Sequence, residues 1–341
     1  QGDARPVRAR PAPGVPPSVL RPARPQPLRG TAAADRPAGD PSGVDLVDQL
    51  ARLGGAARAE QLLTSGARRR RAAALVRSGE VIAHADGCYS LPGADRDLLH
   101  AVRARGLLTC ISAARVHGIA LLGTSARTHV AIPHAFGAAG RRSHLMREIV
   151  VHRERAALLT ASPHPAVPDG SGPWVVCPAE ALARLLRCQD PITAIAAVDS
   201  ALNQQLCTPR DISTLLVGSG TRRPRAVLGE CDGRSQSPIE SVARVSLRRA
   251  GFATESNVLI EGVGYVDLLV EGRIVVELDG FAYHSGRAQY REDRRRDREL
   301  AAQGYVALRF TWEDVMRDPD LVVRAVRDAL RVRAVGDPLG L

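Results

Sequence analysis

The sequence predicts a mixed α/β (α+β) chain of several domains, and three observations carry that expectation. The last hundred residues alternate helix, three strands, helix, strand, helix, the order of a mixed sheet flanked by helices. Residues 44–92 hold three short amphipathic stretches followed by two β segments around a tight turn. Between these, 93–230 carries both helical and extended runs, a small α+β region of its own. A length of 341 residues allows two or three domains, each with its own core.

Residues 1–43 carry ten prolines, no aromatic residue and scattered arginines, a composition that cannot bury enough apolar surface to offset ordering entropy, so a disordered tail is expected. Val44, Leu46, Val47, Leu50 and Leu53 then mark an amphipathic helix stopped by Gly54-Gly55. A short helix fits Ala57–Leu63. A third, Ala67–Arg77, holds Arg68, Arg69, Arg70 and Arg71, with Leu75 and Val76 on its packed side. Val81–His84 and Cys88–Leu91 flank Ala85-Asp86-Gly87, a good tight-turn sequence. Three helices and a hairpin form the layout of a winged helix-turn-helix, in which the third helix enters the major groove. The four arginines suit phosphate contact, against the alternative of a plain solvated helix face.

In 93–230, helices fit Leu98–Arg105, Ile111–His117, Ala179–Cys188, Ile192–Leu202 and Pro209–Val217, with extended pieces near Thr128–Ile132, Ile149–His152 and Trp174–Cys177. Seven of the nine histidines fall here, none with the i, i+4 spacing of two ligands on one helix face. No chemistry is assigned to this stretch, and its role is left open. Likewise the six cysteines, without a CxxC pair or regular spacing, predict neither a disulfide framework nor a zinc knuckle.

The chemistry concentrates in 235–333. Ser237-Pro238-Ile239-Glu240 reads as a capping box opening a helix that Gly251 stops. Thr254–Ile260, Gly264–Val270 and Ile274–Asp279 read as strands, with Glu271-Gly272-Arg273 as a three-residue hairpin loop. If Val270 pairs with Ile274, Asp267 lies opposite Glu277 with β-carbons about 5 Å apart, and Asp279 shares their face. A shared proton, arginine partners or a hard cation would relieve the repulsion. A Mg²⁺ site fits carboxylate chemistry, whereas a one-residue slip would part the two acids. A helix over Arg287–Ala302, a strand over Tyr305–Phe310 and a helix over 319–331 complete the order.

Charge narrows the classes further. The 47 basic residues outnumber 36 acids for a net +11, and all 47 are arginine. Without lysine, a Schiff-base enzyme and a GK[ST] phosphate loop are excluded. The excess of arginine points to a phosphate-rich partner, or to genome composition alone. No run reaches the roughly 20 apolar residues of a membrane-spanning helix, and the start lacks a signal-peptide pattern. A cytoplasmic protein is expected.

The motifs SPIE (237–240), YVDLLV (265–270), VVELDG (275–280) with His284, RRRDREL (294–300) and GYVALRFTWEDV (304–315) together resemble the Vsr-like endonuclease domains called domain of unknown function 559, within the PD-(D/E)XK, restriction-endonuclease-like fold. The resemblance implies Asp267 and Glu277 as ligands of Mg²⁺ (or Mn²⁺), with Glu240 supporting the metal through water. Asp279 stands where the nuclease signature usually has lysine, and Val266 where it often has proline. His284 would then be the general base or leaving-group acid, Arg296 would stabilise developing charge, and arginines such as Arg294 and Arg295 would clamp flanking phosphates. Residues 44–92, with SAARVHGI at 112–119, are similar to the AbiEi-type antitoxin domain of type IV toxin–antitoxin systems, a winged-helix module. The implied function is metal-dependent cleavage of DNA, with RNA as a further possible substrate and a homodimer or a toxin as a possible protein partner. The competing expectation is a DNA-binding regulator or antitoxin carrying an inactive nuclease-like domain.

Overall fold

A computed structural model describes residues 45–134, 143–155, 161–163, 173–279 and 287–336. The expected tail at 1–43 and His284 lie outside them.

The first element, α1 (Leu46–Arg52), buries Leu46 and Leu50 at helical spacing. β1 (Ala56–Arg58) follows and leads into the single-turn α2 (Ala59–Leu62), where the sequence predicts helix throughout. The difference has a local cause: the β1 residues pair with β3 (Cys88–Ser90), beside β2 (Ile82–His84), in a three-stranded antiparallel sheet ordered β1-β3-β2. Between them α3 (Gly66–Ser78) starts at Ser65, whose side chain accepts the Arg68 N–H, and stops at Gly79 with φ +80°. Its buried stripe is Arg68, Ala72 and Leu75, the i, i+4, i+7 positions.

The middle of the chain builds a five-stranded sheet, β6-β5-β4-β8-β7, from β4 (Leu107–Leu108), β5 (Thr128–Pro133), β6 (Ile149–Glu154), β7 (Ala161–Pro163) and β8 (Pro173–Val176). Helices α4 (Arg96–Ala104), α5 (Cys110–Val116), α6 (Ser143–Glu148) and α7 (Pro178–Cys188) accompany it. Three more, α8 (Pro191–Asn203), α9 (Pro209–Leu215) and α10 (Arg222–Gly229), extend the α5–α7 core.

The C-terminal part follows the expected order. α11 (Pro238–Arg249) begins at Ser237 with Pro238 in its first turn. Then come β9 (Thr254–Ile260), β10 (Gly264–Val270) and β11 (Ile274–Asp279), which match the expected bounds. α12 (Arg287–Ala302) crosses over to β12 (Val306–Thr311), parallel to β11, and the sheet order is β12-β11-β10-β9. A helix unforeseen from the sequence, α13 (Trp312–Arg317), is capped by Thr311; α14 (Pro319–Gly336) closes the fold. One sheet face packs on α11, α13 and α14 through Leu268, Val270, Ile274, Val276 and Leu278. The other packs Val266 and Val275 against Leu300 of α12. A mixed sheet with helices on both faces is the restriction-endonuclease-like α+β arrangement.

Two of these bodies share a helix. Val245 of α11 belongs to the α7–α8 core, while Ile239, Val242 and Leu247 of the same helix belong to the C-terminal core. At the seam, the fully buried Arg244 donates to Asp199 of α8 at 2.6 Å, and Ser241 donates to the same carboxylate at 2.7 Å. Among the described residues, no helix is long and apolar enough to cross a membrane.

Candidate functional site

The hairpin that carries the acids has the expected register. Val270 faces Ile274, Leu269 faces Val275 and Leu268 faces Val276, so the next step sets Asp267 opposite Glu277. At that step the ladder changes hands: the Leu278 N–H donates to Asp267 Oδ2 at 2.7 Å. On the other side of β10, Asn257 sits across from Asp267 with φ 51°, a left-handed backbone that interrupts β9. Val266 and Leu268 consequently reach opposite cores, and Asp267 occupies the bend between them.

Glu240 reaches the same place from the first turn of α11. Its carboxylate is buried and accepts the Gln236 N–H at 2.7 Å. Ser237 accepts from the Glu240 N–H as the expected capping box requires, and the Glu240 carboxylate is steadied both by the Gln236 N–H and by the Ser237 side chain and backbone. Burial pushes Glu240 above the usual carboxylate range, and the Glu277 charge adds to it. Burial, then the charges of Glu240 and Glu277, push Asp267 up to about 8, against the Leu278 N–H and Arg296, which favour its charged form. Arg296, reaching over from α12, donates to Glu277 Oε1 at 2.8 Å and to the Tyr265 carbonyl at 2.7 Å.

The structure thus brings together Asp267, Glu277, Glu240 and Arg296. Asp279 is half-buried at the end of β11, in register with Thr311 of β12. Arg294 and Arg295 are exposed on α12, where Arg295 is held by Glu292 and the Gly262 carbonyl, and Arg294 pairs with Asp297.

Of the four arginines on α3, Arg69, Arg70 and Arg71 are exposed, whereas Arg68 is buried and donates to the Gln49 side chain and the Leu62 carbonyl. The expectation that Arg68 contacts nucleic acid is corrected: it braces α1 and α2. Its spacing to Ala72 and Leu75 was the available signal. In 93–230, to which the sequence assigns no chemistry, the ligating side chains of Cys110, His129, His152 and Cys188 converge. They come from four separate elements, and no spacing rule joins them.

Three carboxylates with so little cationic compensation form a hard, oxygen-only donor set, the kind that suits Mg²⁺ or Mn²⁺. Arg296 neutralises one acid and leaves Asp267 and Glu240 to repel each other in a buried site. In donor chemistry these residues fit a divalent cation, although their carboxylate oxygens do not gather as closely as the Cys110, His129, His152 and Cys188 ligand atoms, which all lie within 4.8 Å of one another.

Comparison with known proteins bears on this region. Among curated proteins none matches the sequence. Among solved structures, the chain is similar to the crystal structure of RV2827C protein from Mycobacterium tuberculosis, at 18% identity over 55% of this chain and 80% of that one, with a TM-score of 0.35. Residues 239–330 match the family model REase_MTES_1575, a restriction-endonuclease-like domain, so the C-terminal part of this chain, the part that holds the four converging residues, is similar to nucleases.

Proposed function

We propose that the C-terminal part is a metal-dependent endonuclease that hydrolyses phosphodiester bonds of DNA. The observation that carries this reading is the convergence of Asp267, Glu277 and Glu240 at the bend of β10, inside the stretch that matches the nuclease family model. Asp267 and Glu277 would hold Mg²⁺ or Mn²⁺, with Glu240 supporting the metal through water. A bound metal polarises a phosphodiester oxygen and lowers the pKa of a water.

This chain's own residues do the rest. Leu278 holds one oxygen of Asp267, orienting the other toward the site. Arg296 sets the Glu277 carboxylate and brings positive charge to where a phosphate would sit. His284 is the proposed proton carrier, being the side-chain type that changes charge near neutral pH. Arg294 and Arg295 line the exposed side of α12 for flanking phosphates. These assignments extend the Vsr-like resemblance, with Asp279 in place of the usual lysine.

The N-terminal helices and their three-stranded sheet would act as an antitoxin-like winged helix that adds duplex affinity. Arg69, Arg70 and Arg71 would lie toward the phosphates. We place the activity in the cytoplasm, with a homodimer or a toxin as protein partner.

The test is incubation of the full chain with supercoiled plasmid in Mg²⁺, Mn²⁺ or EDTA, beside an Asp267→Ala/Glu277→Ala control. Metal-dependent nicking that the control loses is the expected result. A gel shift without cleavage in any metal would overturn the proposal in favour of a DNA-binding regulator. Cleavage of RNA alone would reassign the substrate.

A further inference from the structure

The middle of the chain, far in sequence from the nuclease acids, holds a second group of ligating side chains. Cys110 lies at the start of α5, His129 on β5, His152 on the neighbouring β6 and Cys188 at the end of α7. One ligand atom from each lies within 4.8 Å of all the others. His129 Nδ1 stands 3.0 Å from His152 Nε2 and 4.0 Å from Cys188 Sγ. The two imidazole rings have centroids 5.2 Å apart and are tilted by 32° rather than stacked. We propose that these four residues bind a structural Zn²⁺.

Geometry and chemistry both point to zinc. A tetrahedral zinc with Zn–N near 2.0 Å and Zn–S near 2.3 Å spaces its ligand atoms roughly 3.3 to 3.8 Å apart. The observed spread brackets that range, so closing on an ion takes only small side-chain shifts. Two thiolates and two imidazoles are the mixed soft and borderline set that selects zinc over Mg²⁺ or Ca²⁺. Binding sends the two thiol protons to solvent and leaves a centre with no net charge, dipositive zinc against two thiolates. A neutral centre is what a buried position tolerates, and Cys110, His129 and His152 are buried.

Surrounding groups already point the right way. Ser125 Oγ lies 3.4 Å from His129 Nε2, the nitrogen turned away from the cluster, as outer-shell partners of metal-bound histidines do. Gln189 Nε2 reaches both sulfurs, at 3.5 Å from Cys188 and 3.8 Å from Cys110. Cys110 itself has φ 52°, a left-handed backbone unusual for a residue with a side chain, and such strain collects where a side chain must be aimed. Four protein ligands leave no open coordination position, so the site holds structure and does not catalyse. It would fasten the ends of α5 and α7 to the β5–β6 pair.

The test uses the full chain, purified with a reductant and without chelator. Its metal content is measured by mass spectrometry, and its spectrum is recorded after exchange with Co²⁺. About one zinc per chain is expected, together with the visible bands of tetrahedral Co²⁺ and a thiolate-to-cobalt charge-transfer band. The Asp267→Ala/Glu277→Ala protein should keep both signatures, since an oxygen-only site gives no thiolate band. In Cys188→Ser, altered at the exposed end of the cluster, the charge-transfer band should weaken and shift. The proposal fails if the reduced, folded wild-type protein neither retains zinc after loading nor shows the thiolate band. It fails equally if Cys188→Ser leaves the Co²⁺ spectrum unchanged, or if Cys110 and Cys188 are joined as a disulfide in protein kept reduced.

Discussion

Asp267 is the residue whose environment departs furthest from what its type prefers in the nuclease-like part. An aspartate in an unfolded chain titrates near 3.9, whereas burial and two neighbouring carboxylates push this one up to about 8. Between those values the folded protein keeps a proton that the unfolded chain has released, so this group's contribution makes the metal-free fold less stable as pH rises. In EDTA, the urea midpoint of wild type should therefore fall relative to that of Asp267→Asn between about pH 5 and pH 8. Parallel pH profiles would show that the carboxyl is not held neutral. Metal binding must expel the same proton, so Mn²⁺ affinity measured by calorimetry should increase up to about pH 8. Arg68 and Arg70 make a contrasting pair two positions apart. Arg68→Ala removes buried hydrogen bonds and should cost about 1–3 kcal/mol in denaturant unfolding. Arg70→Ala should leave stability within about 0.5 kcal/mol and lower the salt slope of duplex binding by about 1. The facing acids could be read from the sequence because a three-residue loop sets hairpin register. The buried Arg68 was hidden by a run of like residues, in which charge drew attention away from helical period.

At the scale of elements, legibility followed local signals. β9, β10 and β11 were readable to the residue because turn residues bound them and alternating apolar positions fill them. β1 was not, since three residues of Ala-Ala-Arg have no strand character until β3 pairs with them. The six-residue α13 was also missed, being too short for a period to show. The zinc ligands belong to the same class of omission, for only tertiary structure joins α5, β5, β6 and α7. The tie between α8 and α11 is another product of tertiary structure. Burial pushes Asp199 above the usual carboxylate range even with Arg244 beside it, so the pair persists only through its full set of partners: Ser241, Ser235, the Asp232 N–H and the Glu230 carbonyl. Arg244→Ala strands a buried carboxylate and should destabilise the protein by about 3–5 kcal/mol, read as a shift in denaturant midpoint at constant slope.

For the whole molecule, the fold class and the order of parts could be read from sequence, but the extent of contact between parts could not. By sequence alone residues 93–230 are separable from the C-terminal part, yet α11 contributes Val245 to one core and Ile239 to the other. A fragment beginning at Asp232 would expose Val245 and leave Arg244 without Asp199, so it should melt below the full chain or aggregate, as a thermal scan would reveal. An unchanged melting temperature would mean that the seam adds nothing to the C-terminal fold. The same helix places Glu240 at its first turn and Arg244 at its second, one facing the acids and the other facing α8. Genetic screens will feel that arrangement. On the proposed nuclease reading, a selection scored only by DNA cutting would gather substitutions in α8 alongside those in the acids, and the α8 alleles would separate from the acid alleles by being temperature-sensitive.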